Sequence, residues 1–573
     1  MKRIITLLLV GCGIILHAQS NIHTSKAETT LLLKGEYDEI AETIAEPSDL
    51  AALLTSDINP DSMLNYLVAL QQFETRNSGA DTLSTTRGMG ASRTWIYDKL
   101  EEVNIQNGSP AVVDYLEFDQ MICGMDHHKN VIMVHPGTDP EAGVIIIEAH
   151  MDTRCESECD IDCIALGMED NGSGVALVIE LARVMTKRYY NSTIMFMLTT
   201  AEEQGLLGAN AMATFCVDEG IDVKGVFNND VIGGIICGET ASPPGCMGLG
   251  DIDSTQVRIF SNGTTLSKHK NLARYIKLQY EEEVLPTAAV PMQISIMSAE
   301  DRTGRGGDHI PFRENGFTAI RFTSANENGN AQINSNYQDH QHSTRDILGE
   351  DTSGDGELDS LFIDFNYLKR NSVINGMASG MVAISPDQPT IDLEQLDGQI
   401  RVTINSDEPY DTFRIGTRID GNEFDSLYTI TGTNVALIDN PEENGFFFIT
   451  ACVVNDLGVE SCFAEEQFLL INSTGDRDLV LPQTDVKLLP NRPNPFDEAT
   501  TISWYVEKSI PHQSAQIQVH TSAGQLIKEK NIDLNIGLND WVFTHGWGTE
   551  GIYYYSLVID GKPVETRSMV FAY

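Results

Sequence analysis

The sequence predicts an α/β domain with a central mixed, mostly parallel sheet, followed by two β-sandwich modules. Between residues 57 and 386, short apolar runs of strand length alternate with stretches of helical periodicity, the order expected when helices cover a sheet. After Pro386 the helical periodicity stops, and short alternating runs separated by Gly, Asn, Asp and Pro take over, as in a sandwich. A third observation gives the first domain a working edge. Imidazole and carboxylate side chains collect where its apolar runs end, and open α/β sheets bind ligands beyond the carboxyl ends of their strands.

The chain has 573 residues, room for several domains at about one per 150. A formal net charge of −46 argues against general electrostatic binding of nucleic acid or anionic membrane. Residues 1–18 read as a secretory signal, with basic Lys2-Arg3, an apolar run from Ile4 to Leu16, and Ala18 before the cut. Leu9-Val-Gly-Cys12 also resembles a lipoprotein box, but the apolar run continues past Cys12. No later stretch is long and apolar enough for a membrane span. Residues 19–56 are Glu/Ala-rich and read as a propeptide or covering arm.

Helices are predicted at Asp61 to Phe73, with Asp61 as cap, and at Thr86 to Val103. Strands follow at 111–118, 130–137 and 144–150, then a helix over 172–188 and strands at 194–200 and 223–234. The helix Phe362 to Ile384 ends before Ser385-Pro386, which sets the domain boundary. Residues 387–472 read as a fibronectin- or immunoglobulin-like sandwich, 473–486 as a polar linker, and 487–573 as a second β module.

The chemistry concentrates in VIIIEAHMDTR (144–154), GMEDNGSG (167–174) and TIMFMLTTAEEQGLLGAN (193–210). A site that activates water at neutral pH can use two zinc ions about 3.5–4 Å apart. Such cations repel, so a carboxylate between them is the natural bridge, and zinc accepts His, Asp and Glu. Asp170, before a Gly/Ser turn that opens a helix, is the candidate bridge. His150 suits one cation, and Asp152, two residues on, can orient its imidazole. Neighbours in extended backbone point to opposite sides, so of Glu202 and Glu203 one can ligate while the other moves the water's proton. Asp230, ending FNND, completes the first cation, and His340 or His342 in YQDHQHSTRD supplies the second's nitrogen.

HMD, EDNGSG, AEEQGLLG, NND, GGDHIPF and HSTRD, in this order, resemble the motifs of the di-zinc exopeptidases typified by secreted bacterial leucyl aminopeptidases. The resemblance covers about residues 57–385. It implies a zinc-exopeptidase (phosphorylase/hydrolase-like) fold and release of N-terminal residues from peptides or proteins with a free N-terminus. It also implies His150, Asp170 and Asp230 on one zinc, Asp170, Glu203 and His342 on the other, and Glu202 as general base. His342 is preferred over His340 because HSTRD matches a His-Thr-x-x-Asp pattern, with Ser343 in the Thr place. Asp308-His309 matches a motif near the substrate and takes no metal role. The rival readings are a zinc carboxypeptidase or glutaminyl-cyclase-like enzyme on the same fold, the cyclases holding one zinc, and a non-catalytic surface adhesin.

An oxidising compartment makes disulfides the default for the cysteines. Of Cys155, Cys159 and Cys163, two are expected to pair locally while the third reaches Cys216, Cys237 or Cys246, with a thiolate zinc site as the lesser reading. Cys452 and Cys462 flank a turn and could face each other across a hairpin. Asp351 to Asp359 imitates the start of a calcium loop, but position twelve is Phe362. An acidic surface loop is therefore the first reading and structural Ca2+ the second. LPNRPNPF (489–496), SAGQLIKE and the terminal GIYYYSLVIDGKPVETRSMVF resemble the C-terminal sorting domain of the type IX secretion system. That resemblance implies export by the type IX machinery, ending secreted or at the cell surface.

Overall fold

The computed structural model describes residues 19–42, 46–236, 251–263, 266–301, 306–325, 340–355, 358–419, 422–441, 445–471, 485–496, 499–545 and 549–572. The expected signal sequence, most of the linker, Cys237 and Cys246 lie outside them.

Nine strands form one mixed sheet: β1 (Ser20–Thr24), β2 (Val112–Ile122), β3 (Met125–His135), β4 (Val144–His150), β5 (Thr193–Thr199), β6 (Val223–Asn229), β7 (Gln256–Ser261), β8 (Gln293–Ile296) and β9 (Ala319–Ser324). Their order is β1-β2-β3-β5-β4-β6-β9-β7-β8. The inner strands β5, β4, β6 and β9 are parallel neighbours. β3 joins β5, and β7 joins β9, antiparallel. β4 and β5 are buried along their whole length, which is why they read as unbroken apolar runs rather than alternating ones.

One face of the sheet packs on α3 (Pro60–Leu70), α4 (Gly88–Gln106), α5 (Gly174–Met185) and α9 (Phe365–Ile384), the other on α6 (Leu207–Glu219). The cap of α3 is Asn59, whose side chain accepts the Asp61 amide at 2.9 Å, two residues earlier than expected. Strands β7 to β9 carry no clean apolar alternation because Arg258 and Arg321 sit inside them, both fully buried.

The described residues between 19 and 56 are built into this domain. β1 pairs antiparallel with β2, and α2 (Pro47–Asp57) buries Leu50 and Leu54 against α9. The helices approach closely at two glycines: a Cβ at Gly376 would stand 2.5 Å from Leu54 and one at Gly380 2.6 Å from Leu50. The Glu/Ala-rich composition hid an apolar stripe at Leu50, Leu53 and Leu54.

Beyond Ser385, strands Thr390–Gln395, Gln399–Asn405 and Val435–Asp439 form one sheet, and Ser426–Thr431, Thr412–Arg418, Gly445–Val454 and Gln467–Ile471 a second. The C-terminal module repeats this three-plus-four arrangement between Val486 and Phe571. The first sandwich seats on α7 (Lys268–Gln279): Asn271 donates to the Phe463 and Ala464 carbonyls at 2.9 and 2.8 Å, and Arg274 pairs with buried Glu466 at 3.3 Å. Among the described residues no helix is long and apolar enough to cross a membrane.

The cysteines depart from expectation in one partner. Cys155 pairs locally with Cys163, but Cys159 bonds Cys123, at the turn between β2 and β3, and not Cys216. Cys216 lies buried in α6, inside the other half of the core. With all three sulfurs in disulfides, the thiolate zinc reading is overturned. Cys452 and Cys462 are both free thiols. In the acidic loop, Asp359 accepts the Thr352 amide and hydroxyl and the Ser353 amide, each at 2.7 Å, closing the turn on itself.

Candidate metal centre

Because β5, β4 and β6 lie side by side and parallel, their carboxyl ends open on one edge. His150 is the last residue of β4, Asp230 follows β6, and Glu202 and Glu203 lie in the turn after β5. Asp170 comes from the kinked turn Met168–Ser173 that opens α5. Glycines let these pieces close up. A Cβ at Gly174 would lie 2.4 Å from the Asn229 carbonyl, and one at Gly208 2.3 Å from that of Thr200.

Two clusters result, each with three potential ligands: His150, Asp170 and Asp230, and Asp170, Glu203 and His342. His150 Nε2 lies 3.2 Å from Asp170 Oδ1 and 3.4 Å from Asp230 Oδ1. His342 Nε2 lies 3.0 Å from Asp170 Oδ2 and 3.1 Å from Glu203 Oε2. The two oxygens of Asp170 thus face different clusters. His340 turns away, its Nδ1 3.0 Å from the Arg345 carbonyl and its ring against Phe362.

Asp152 sits differently from the expectation. His150 Nδ1 is 3.1 Å from the Asp152 carbonyl and 3.7 Å from its carboxylate. The carboxylate accepts the amides of Glu202 and Glu203, both at 3.2 Å. It clasps the turn that presents these two acids. A turn, and not extended backbone, is therefore what separates them: Glu203 goes to the second cluster, while Glu202 stands in the field of His150, Asp230 and Asp308.

Electrostatics divides the acids. Desolvation pushes Glu202 well above the usual carboxylate range; His150 opposes this, and Asp230, Glu203 and Asp308 add to it. Asp152 is pushed up to about 7, first by burial. Asp170 is also buried, but hydrogen bonds from His150 and His342 hold it well below that range. Around His150 the carboxylates outweigh desolvation and raise the ring's pKa well above its ordinary value. Asp308 lies buried with its carboxylate accepting from the Thr199 hydroxyl, and burial pushes it up to about 6. His309 is fully buried, its Nε2 3.2 Å from the Glu300 carbonyl.

Four supporting residues escaped the sequence reading. Arg321, buried in β9, sets its Nη2 3.1 Å from Asp230 Oδ2 and donates from Nε to the Asp230 carbonyl at 2.6 Å and from Nη1 to Asp301 at 2.6 Å. Asp346 accepts the amides of Glu169 and Asp170 at 2.8 and 2.9 Å, fixing the bridging turn. Arg76 ties the Met151 carbonyl (2.7 Å) to that of Gly167 (2.8 Å), joining the exit of β4 to the same turn. Arg154 touches Glu203 and His342. A charge inside the apolar run TAIRFTS was the available signal for Arg321, and the last residue of HSTRD that for Asp346; Arg76 had none.

Replacing Arg321 by Leu would remove the buried cation that pairs with Asp230 and Asp301. The expected loss of stability is about 3–5 kcal/mol, read from the denaturant midpoint; an unshifted midpoint would refute the role.

The donor set fits divalent zinc. It offers two imidazole nitrogens and three carboxylates at the distances that ligands of one small cation keep from each other. Glu203 Oε1 is buried without a hydrogen-bond partner among the described atoms, and buried carboxylate oxygens left so are costly unless a cation meets them.

Comparison with known proteins gives a consistent result. Residues 130–354 match the family described as Peptidase family M28. A probable zinc metalloprotease of Leptosphaeria maculans is 29% identical over 377 residues, covering 62% of this chain and 82% of that protein. Another, of Pyrenophora tritici-repentis, is 28% identical over 374 residues, covering 62% and 74%. Similar solved structures include the LapA aminopeptidase of Legionella pneumophila, with a TM-score of 0.43, 18% identity, and coverage of 61% of this chain and 79% of that one. The glutaminyl cyclase of Porphyromonas gingivalis has a TM-score of 0.38, 17% identity, and coverage of 56% and 98%.

Proposed function

We propose that this metallopeptidase, whose residues 130–354 carry a domain of peptidase family M28, is an exported aminopeptidase that removes N-terminal residues from peptides with two zinc ions. The observation that carries the reading is Asp170, whose two oxygens face two imidazoles, each completed by one further carboxylate. His150, Asp170 and Asp230 would hold one zinc, and Asp170, Glu203 and His342 the other. Bound there, the pair supplies Lewis acidity toward the scissile carbonyl and lowers the pKa of water.

The chain's own residues do the rest. Glu202 accepts the proton of the attacking water and returns it to the departing amine, a task suited to a carboxylate with a raised pKa. Asp152 holds Glu202 and Glu203 apart by gripping both amides. Arg321 fixes Asp230 by one oxygen, leaving the other toward His150. The PNPF and GIYYY motifs support export with the C-terminal module as the sorting signal.

Purified protein should hydrolyse aminoacyl-anilides, stop when a chelator removes zinc, and resume on its return. N-acetylated versions should be inert. Cleavage of blocked peptides from their C-termini, or cyclisation of N-terminal glutamine without hydrolysis, would move the assignment to the carboxypeptidase or cyclase reading.

A further inference from the structure

A cavity of about 330 Å³ lies between α2, the residues that follow α7 and the start of α9, and shares no residue with the metal centre. Its wall is largely apolar: Val284, Met292 and Val373, all buried, line it together with exposed Val290. From α9 it takes Asn366, Lys369, Arg370 and Val373. That spacing of three and four residues is one face of a helix, so two cations and an apolar side chain turn to the same space.

The chain carries 83 acidic residues against 37 lysines and arginines, yet among the described residues no carboxylate meets either cation. Arg370 donates from Nη2 to the Ser254 carbonyl at 2.6 Å and from Nε to Met292 Sδ at 3.4 Å, and stands over the Tyr367 ring. These neutral partners fix the guanidinium and leave its charge unanswered. Lys369 makes no hydrogen bond or ion pair with any described residue. Tyr280, buried in the same wall, accepts the Met292 amide at 2.8 Å and keeps its own hydroxyl hydrogen to donate. Burial pushes this phenol up, and the nearby Arg370 charge opposes the push.

Small-molecule sites are mostly apolar, with a few polar groups that fix orientation. Here the wall selects a hydrocarbon body, and two uncompensated cations select a small anion, for which a carboxylate accepts from guanidinium, ammonium and hydroxyl alike. We propose that this cavity binds a free fatty acid of medium chain length, its carboxylate toward Lys369 and Arg370 and its tail among Val284, Met292 and Val373. The inference is independent of the zinc reading above.

Calorimetric titration of the full chain with decanoate, below its micelle concentration, tests it. One equivalent should bind, decanol at least tenfold more weakly, and decyltrimethylammonium not at all. Shortening the tail to octanoate and then hexanoate should loosen binding about threefold to fourfold per methylene, the worth of a buried CH2. Lys369→Met keeps the apolar stem, so it should weaken decanoate at least tenfold and leave decanol unchanged. Ala289→Trp, at an exposed position of the lining, narrows the mouth and should weaken both. An unchanged thermal midpoint reports an intact fold in each variant. Zinc also takes carboxylates, so the titration is repeated after chelator treatment, and binding should persist. Binding lost with the metal, no binding by the wild type, equal affinity for decanol and decanoate, or an unchanged decanoate affinity in either variant would overturn the proposal.

Discussion

Glu202→Gln should lower kcat about a hundred- to ten-thousand-fold, the usual worth of a positioned general base, while zinc content stays at the wild-type value. The substitution keeps the size of the side chain and leaves the backbone amides in the Asp152 clasp. It removes only the capacity to take a proton. The pH profile sharpens the test. Glu202 can accept a proton only when ionised, and its pKa is raised, so kcat/KM of the wild type should climb with rising pH through that pKa. In the Gln variant this acidic limb should vanish. Near-normal kcat with the limb intact would remove Glu202 from the chemistry.

Asp170→Asn strikes both clusters at once. Asp170 is their shared member, held ionised by hydrogen bonds from His150 and His342. An outer partner of a metal ligand commonly contributes about 10–100-fold in affinity; loss of the shared ligand itself should exceed that at each position. Asp230→Asn, in contrast, should weaken only the first. Metal analysis after dialysis against a graded chelator reads the difference, and an Asp170→Asn protein that keeps both ions would end the bridging role. Binding in the wild type should also weaken as pH falls, because the His150 ring, with its raised pKa, has to lose its proton to act as a ligand.

His150, Asp170, Glu203 and Asp230 were legible because each follows a strand or opens a helix within a short motif, and strand ends are visible as the close of an apolar run; His342 lies in a turn and was read from HSTRD alone. The supports were less so. Arg321 and Asp301 lie 20 residues apart and Arg76 and Gly167 91 apart; nothing local requires such partners. Asp152 was read by its spacing from His150, yet its carboxylate is claimed by two amides some 50 residues on. The same limit applies to Cys159, whose partner Cys123 belongs to a hairpin turn that only the folded sheet brings over the loop. How residues 19–56 attach to the domain was hidden for a related reason. Their strand is an edge strand, and its partner β2 begins far down the chain.

By itself the sequence determined the order of layers, the parallel centre of the first sheet and the residues that end its strands. These follow from hydrophobic periodicity and turn chemistry, which act over a few residues. Only the tertiary structure decided which oxygen of each acid faces which imidazole, and which arginine answers each carboxylate. Those are outcomes of packing between segments far apart in the chain, where burial makes every unpaired charge costly and so selects one arrangement.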